Sequence, residues 1–199
     1  MILQTNNLTK SFGSRKAVDG LNLEIPEGAV YGFLGPNGSG KSTTIRMMTA
    51  LISPDEGEVF IQGKSVQSLG NDALGQVGAL IEKSDFYKHL SGTTNIEMLA
   101  RMDGTDFSRV QFVLERTGLA NRGKDKVKTY SQGMKQRLGI AQALLSKPKL
   151  LILDEPTNGL DQQGMKEVRD LIGELSSEGI AIFISSHLLD EVQKMCSHV

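Results

Sequence analysis

The sequence is short of several things, and each shortage excludes something. A single cysteine, Cys196, stands in 199 residues, so no intramolecular disulfide can form, which suits a reducing, cytosolic setting. Positive and negative side chains nearly cancel, 22 against 23, for a net charge of −1. That balance gives no argument for electrostatic attraction to nucleic acid or anionic lipid. No apolar stretch approaches the ~20 residues that a membrane span requires, and the polar N-terminus is no signal peptide. Internal repeats and low-complexity segments are missing too. What remains is enough chain for one large or two small domains. Its 39% hydrophobic residues and 22 glycines sit at the globular average. The expectation is a soluble intracellular domain whose link to any membrane comes through a partner.

One stretch organises the rest. An apolar run from Ala29 to Leu34 reads as a buried strand, breaks into a loop from Gly35 to Lys41, and opens a helix at Ser42. This is the P-loop spacing G-x4-G-K-[ST], with Gly35, Gly40, Lys41 and Ser42 in the fixed places. The loop glycines let backbone N–H groups turn inward around a phosphate, and the helix N-terminus adds its positive dipole end. Lys41 supplies a charge for the β- and γ-phosphates, and the Ser42 hydroxyl can ligate Mg²⁺. The bare pattern arises by chance in roughly one chain in a hundred of this length, and rarely between a strand and a helix.

Elsewhere the chain alternates between α/β texture and helix. Leu21, Leu23 and Ile25 share one face of a half-buried strand. The P-loop helix is predicted to run to about Leu51, stopped by Ser53-Pro54. Short strands follow at Glu58–Gln62 and Val77–Ile81. Thr94-x-x-Glu97 predicts a capping box opening a helix through Met102. Ser108-x-x-Gln111 predicts another, with Phe107 and Phe112 at its staple positions. A basic, polar connector from Asn121 to Lys128 leads to a helix from about Gln132 to Ser146. Leu150–Leu153 then reads as a strand buried on both faces. A helix carrying Met165, Val168, Leu171, Ile172 and Leu175 follows, then a strand at Ile180–Ile184 and a last helix over Leu188–Met195.

Two carboxylates complete a phosphate site. Asp154 and Glu155 close the Leu150–Leu153 strand, where ligands of parallel sheets gather. Asp154 is suited to hold Mg²⁺ through water and Glu155 to polarise the attacking water. His187, past the Ile180–Ile184 strand, opens onto the same sheet edge and is suited to meet the γ-phosphate.

With these motifs in order, the chain resembles the ATP-binding subunit of an ABC transporter over essentially its whole length. Phe12 stands where that family places an adenine-stacking aromatic, with Val18 nearby. Gly35, Pro36, Asn37, Gly38, Ser39, Gly40, Lys41, Ser42 and Thr43 look like its Walker A. Tyr130 to Arg137 looks like its signature, Leu150 to Glu155 like Walker B, Asn158 to Asp161 like the D-loop and His187 like the switch histidine. The resemblance implies an α/β P-loop NTPase fold with an ABC-type mixed sheet core, N-terminal antiparallel β strands and an inserted α-helical subdomain. Residues 1–82 and 147–199 would be the nucleotide-binding core and 83–146 the helical subdomain, which touches a membrane permease. It also implies ATP and Mg²⁺ as cofactors, and a second copy of the chain sandwiching two ATP molecules. Ser131, Gly133 and Asp161 then face nucleotide held by the partner subunit, Ser131 as N-cap of its helix. The site list is Glu155, His187 and Lys41 for catalysis, with Ser42, Asp154 and Glu82 for metal. The chain stops twelve residues past His187, short of two further family strands, and reads as truncated.

Two departures narrow the resemblance. The signature has Gln132 for its usual first glycine and Met134 for its final glutamine. The strand ending at Ile81 is followed by Glu82, where the family has a glutamine. Both resemble subunits of bacitracin- and lantibiotic-type export and self-immunity systems, implying a cytoplasmic ATPase, peripheral on the inner face of the plasma membrane, that powers export of a peptide antibiotic or related drug through a separate membrane subunit. The alternative is an ABC-type soluble ATPase acting on DNA or ribosomes, but the insert is short, the cassette single, and no basic stripe marks a nucleic-acid partner. A P-loop kinase or GTPase would need a substrate lid or an Asn-Lys-x-Asp, neither of which is found. A binding-only cassette would not need Glu155 and His187.

Overall fold

Alternating residues at the start of the chain build a hairpin. In the computed structural model, which describes residues 1–82 and 85–199, β1 (Leu3–Phe12) pairs antiparallel with β2 (Arg15–Ile25). Leu23 and Ile25 turn inward while Asn22 and Glu24 face water, as the period of two requires. The turn is two residues long, with Gly13 at φ 59°, and it sets Phe12 opposite Arg15. β3 (Val30–Leu34) then leads through the phosphate loop into α1 (Lys41–Met48). β4 (Glu56–Ile61) and the short β5 (Lys64–Ser65) complete an antiparallel sheet ordered β2-β1-β4-β5.

α1 stops earlier than the Ser53-Pro54 signal predicts. Thr49 Oγ1 bonds back to the Ile45 carbonyl at 2.8 Å, and Ala50 takes φ 56°, so the chain turns out of the helix before the proline is reached. Two single-turn helices, α2 (Val66–Leu69) and α3 (Asn71–Leu74), precede β6 (Val77–Leu80).

Helices α4 (Gly92–Met102), α5 (Ser108–Arg116) and α6 (Gln132–Ala143) follow, and two cap expectations are corrected here. The N-cap of α4 is Ser91, not Thr94. Ser91 Oγ accepts the Thr94 N–H at 3.0 Å. The start is moved because the 123–127 segment grips it, Gly92 N–H donating to Asp125 O and Thr93 N–H to Gly123 O. α5 has no capping box or staple. Asp106 Oδ1 accepts the Ser108 N–H at 2.7 Å, and Gln111 reaches forward to Glu115. Phe107 and Phe112 each carry an arginine over the ring, Arg101 and Arg109 respectively.

The chain returns to the sheet with β7 (Leu150–Asp154), α7 (Gln162–Ser177), β8 (Ala181–Ser186) and α8 (Leu189–Met195). The second sheet is parallel throughout, ordered β3-β8-β7-β6. Its two faces feed different cores. Leu151, Leu153, Ile182 and Ile184 pack with α4 to α7. Leu150, Ile152, Ala181 and Phe183 pack with α1 and the antiparallel sheet. That two-sided burial is what a continuous apolar run encodes. It also aligns the carboxyl ends of β3, β8 and β7 side by side, which builds the site.

Candidate active site

The phosphate loop begins while still paired to the sheet, with Gly35 N–H donating to Ser186 O at 3.1 Å. Pro36 O accepts the Ser39 N–H, tightening the loop. Gly40 sits at φ 96°, where a Cβ would lie 2.2 Å from the Ala17 carbonyl oxygen. Only glycine fits there, and the close approach presses the loop onto β2. Val18 is buried under it, with its Cγ2 3.2 Å from that same Cβ position. Val18 thus supports the loop from below.

Lys41, only 6% exposed, folds back into its own loop. Its Nζ donates to Gly35 O at 2.7 Å and Pro36 O at 3.1 Å, and lies 3.4 Å from Glu155 Oε1. The Ser42 hydroxyl donates to Asp154 Oδ2 at 2.9 Å. The other oxygen of that buried carboxylate accepts from Ser185 Oγ. Ser185 Oγ in turn accepts the Glu155 N–H at 3.0 Å.

Glu155 stands in the left-handed region at φ 48°, a conformation costing a non-glycine residue about 1–3 kcal/mol. The bonds from its N–H to Ser185 hold it there. The sharp turn delivers one carboxylate oxygen toward Lys41 and the other to His187 Nδ1. His187 reaches it because β8 lies beside β7, Asp154 being in register with Ser185.

A cavity of about 330 Å³ opens over this cluster, lined by Phe12, Asn37, Gly38, Lys41, Thr43 and Glu155 among others. Phe12, at 55% exposure, stands at its mouth, with Lys10 Nζ 5.9 Å from the ring centroid. Arg15, which the sequence reading passed over, also lines it. The hairpin register is the one signal that could have found it. A second cavity of about 810 Å³ lies where Asp154, Glu155, Glu82, Gln132 and Gln136 face one another.

The expected metal set is brought together only in part. Ser42 and Asp154 meet, and a hydroxyl with a carboxylate is the oxygen donor pair that suits Mg²⁺. Glu82, at φ 62°, is paired with Arg46 of α1 instead. Among the described residues, no three His, Cys, Asp or Glu side chains are arranged to hold a metal. Ser131, Gly133 and Asp161 do not line the 330 Å³ cavity of their own chain. Ser131 is exposed and caps α6, its Oγ accepting the Met134 N–H at 3.2 Å. Gly133 lies against Gly164. Asp161 caps α7, accepting the Gly164 N–H at 2.8 Å.

Comparison with known proteins identifies the family. A family model described as "ABC transporter" matches residues 18–158. Over 200 residues the chain is 47% identical to the bacitracin transport ATP-binding protein of Bacillus licheniformis, covering all of this chain and 65% of that protein. Over 198 residues it is 43% identical to the lantibiotic transport ATP-binding protein of Streptococcus pyogenes, covering all of this chain and 85% of that protein. The chain spans 65–66% of the length of the Bacillus relatives it matches. Among solved structures, a dimeric ATP-binding cassette in a post-hydrolysis state bound to ADP and Pi superposes with a TM-score of 0.83 at 26% identity. That match covers 97% of this chain and 91% of the other.

Proposed function

The chain belongs to the ABC transporter family, and we propose that it is the ATP-hydrolysing subunit of an exporter, moving a peptide antibiotic or related drug through a separate membrane subunit. The observation that carries the reading is the Glu155 carboxylate, held between Lys41 and His187 at the mouth of the phosphate loop. The names of the bacitracin and lantibiotic relatives support the substrate class.

The chemistry follows from exchange of partners. Lys41 Nζ donates to two loop carbonyls and lies beside Glu155. A polyphosphate in the loop offers it stronger, charged acceptors and frees Glu155 Oε1. That oxygen then accepts a proton from water while Oε2 stays on His187. The water oxygen bonds to the γ-phosphorus in line, the bond from that phosphorus to the β,γ-bridging oxygen breaks, and ADP leaves with the electron pair. Lys41 balances charge on the transferring group. Mg²⁺ bound at Ser42 and Asp154, with Glu82 a further ligand once released from Arg46, would neutralise phosphate oxygens.

The active species in this reading is a dimer. Ser131 stands at an exposed helix N-terminus whose first N–H groups have no intrahelical partner, and a second copy could lay it on the γ-phosphate with Gly133 and Asp161 beside it. The dimeric state of the similar ADP- and Pi-bound cassette supports this arrangement. Residues 83–146 serve as the helical subdomain that meets the permease. Among the described residues no helix is long and apolar enough to cross a membrane; in this reading the subunit sits on the inner face of the plasma membrane, held by that partner.

The test is phosphate release by the subunit reconstituted with its membrane partner, with and without peptide antibiotic. Glu155→Gln should retain ATP binding, lose about 10²–10⁴-fold in turnover and accumulate as an ATP-bound dimer. Rapid hydrolysis by that variant would assign the base elsewhere. No stimulation by any peptide antibiotic would remove the substrate class.

A further inference from the structure

Phe12 and Arg15 face each other across the two-residue turn of the first hairpin, and both side chains line the 330 Å³ cavity above the phosphate loop. Arg15 Nη2 donates to the Gly38 carbonyl at 2.7 Å, so the guanidinium lies on the loop itself. That bond uses one of five N–H donors. Among the described residues no carboxylate pairs with Arg15 within ion-pair distance, whereas Lys41 has Glu155 and Arg46 has Glu82. Among the described residues Arg15 and Lys41 are the two cations lining the cavity, with Glu155 as its carboxylate.

Resting on the nucleotide reading of this site, we propose that Arg15 is a nucleotide-binding residue that takes the phosphate nearest the sugar of a nucleoside di- or triphosphate. Its place in the cavity sets the order of contacts. Lys41, next to Glu155, marks the reacting end of the polyphosphate. Arg15 shares its hairpin tip with Phe12, the ring offered to the base, so it meets the other end. A planar guanidinium with free donors suits paired phosphate oxygens, which a lysine ammonium meets only as a point charge. The Gly38 bond already holds the fork over the loop, and a held donor loses less freedom on binding. Stacking on Phe12 and the grip on the inner phosphate come from the two ends of one two-residue turn.

The experiment is equilibrium binding of MgATP and MgADP to the wild type, Arg15→Gln, Arg15→Lys and Lys41→Ala at several salt concentrations, with thermal unfolding of each. Arg15→Gln should weaken ATP and ADP alike by about tenfold, raise KM with kcat nearly unchanged, and flatten the salt dependence of binding. Arg15→Lys should restore the salt dependence and part of the affinity. The side chain is exposed, so the melting temperature should hold. A loss of affinity with unchanged salt dependence would make Arg15 a mere brace for Gly38 and overturn the proposal. Wild-type affinity in Arg15→Gln, beside a loss in Lys41→Ala, would overturn it and leave the nucleotide reading intact. No loss in Lys41→Ala would overturn both.

Discussion

Ser42 Oγ donates a 2.9 Å hydrogen bond to Asp154 Oδ2 across 112 residues of chain. The bond ties the first turn of the P-loop helix to the end of a central strand, and it brings together the two oxygen donors suited to a divalent cation. The same carboxylate anchors Ser185, which is fully buried and positions the Glu155 backbone.

Asp154→Ala should therefore do two kinds of damage. Stripping the acceptor from a buried hydroxyl costs about 1–3 kcal/mol, or several degrees of melting temperature for a chain of this size. Asp154→Asn keeps the shape and much of the stability while weakening Mg²⁺-dependent nucleotide binding. Unfolding curves and Mg²⁺ titrations of both variants separate the two effects.

Ser131 caps α6 at an exposed position. Ser131→Ala should lose about 1 kcal/mol of helix stability, and Ser131→Asp should lose little because a carboxylate caps equally well. Hydrolysis should respond in the opposite order, since a carboxylate facing a partner's γ-phosphate repels it. If Ser131→Asp hydrolyses ATP as the wild type does, the residue lies away from any phosphate.

Glu82 is held by Arg46, with both side chains largely exposed. An exposed pair contributes little, at most about 1 kcal/mol, so Glu82→Gln should leave unfolding and ATP binding near wild type. The coupling of hydrolysis to transport should change, because Glu82 joins the P-loop helix to the segment entering the helices. Equal transport-coupled rates in both proteins would deny the charge a role.

Cys196 packs against Gly32 and Val192, and burial pushes its thiol from 9.0 up to about 11. A folded-state value above the unfolded one stabilises the fold fully below about pH 9 and loses that contribution as pH rises toward 11. The wild type should lose stability across that window more steeply than Cys196→Ser, as read by melting temperature against pH. Alkylation of the folded protein near pH 8 should run about a hundredfold slower than that of an unfolded control.

Much of the fold was readable because its signals are local. The four-residue apolar run at Leu150–Leu153 is of the kind found in strands covered on both faces, and the two cores divide its residues alternately. Capping was less legible. Thr94-x-x-Glu97 satisfies the pattern, yet the helix is capped three residues earlier, by Ser91. The choice fell to the 123–127 segment, which grips the chain at Gly92 and Thr93. The single helical turns at Val66–Leu69 and Asn71–Leu74 went unseen, since four residues are too few to set up a helical period.

The sequence by itself determined the phosphate loop, the carboxylates after the buried strand and the order in which they arrive. Each of those is a short pattern whose chemistry needs neighbouring residues only. Tertiary structure alone decided that Glu155 sits in a left-handed turn between Lys41 and His187, that Arg46 holds Glu82, and that Arg15 lies over the loop. Those contacts depend on which strands become neighbours and in what register, and burial of the whole chain, rather than any local run of it, sets both.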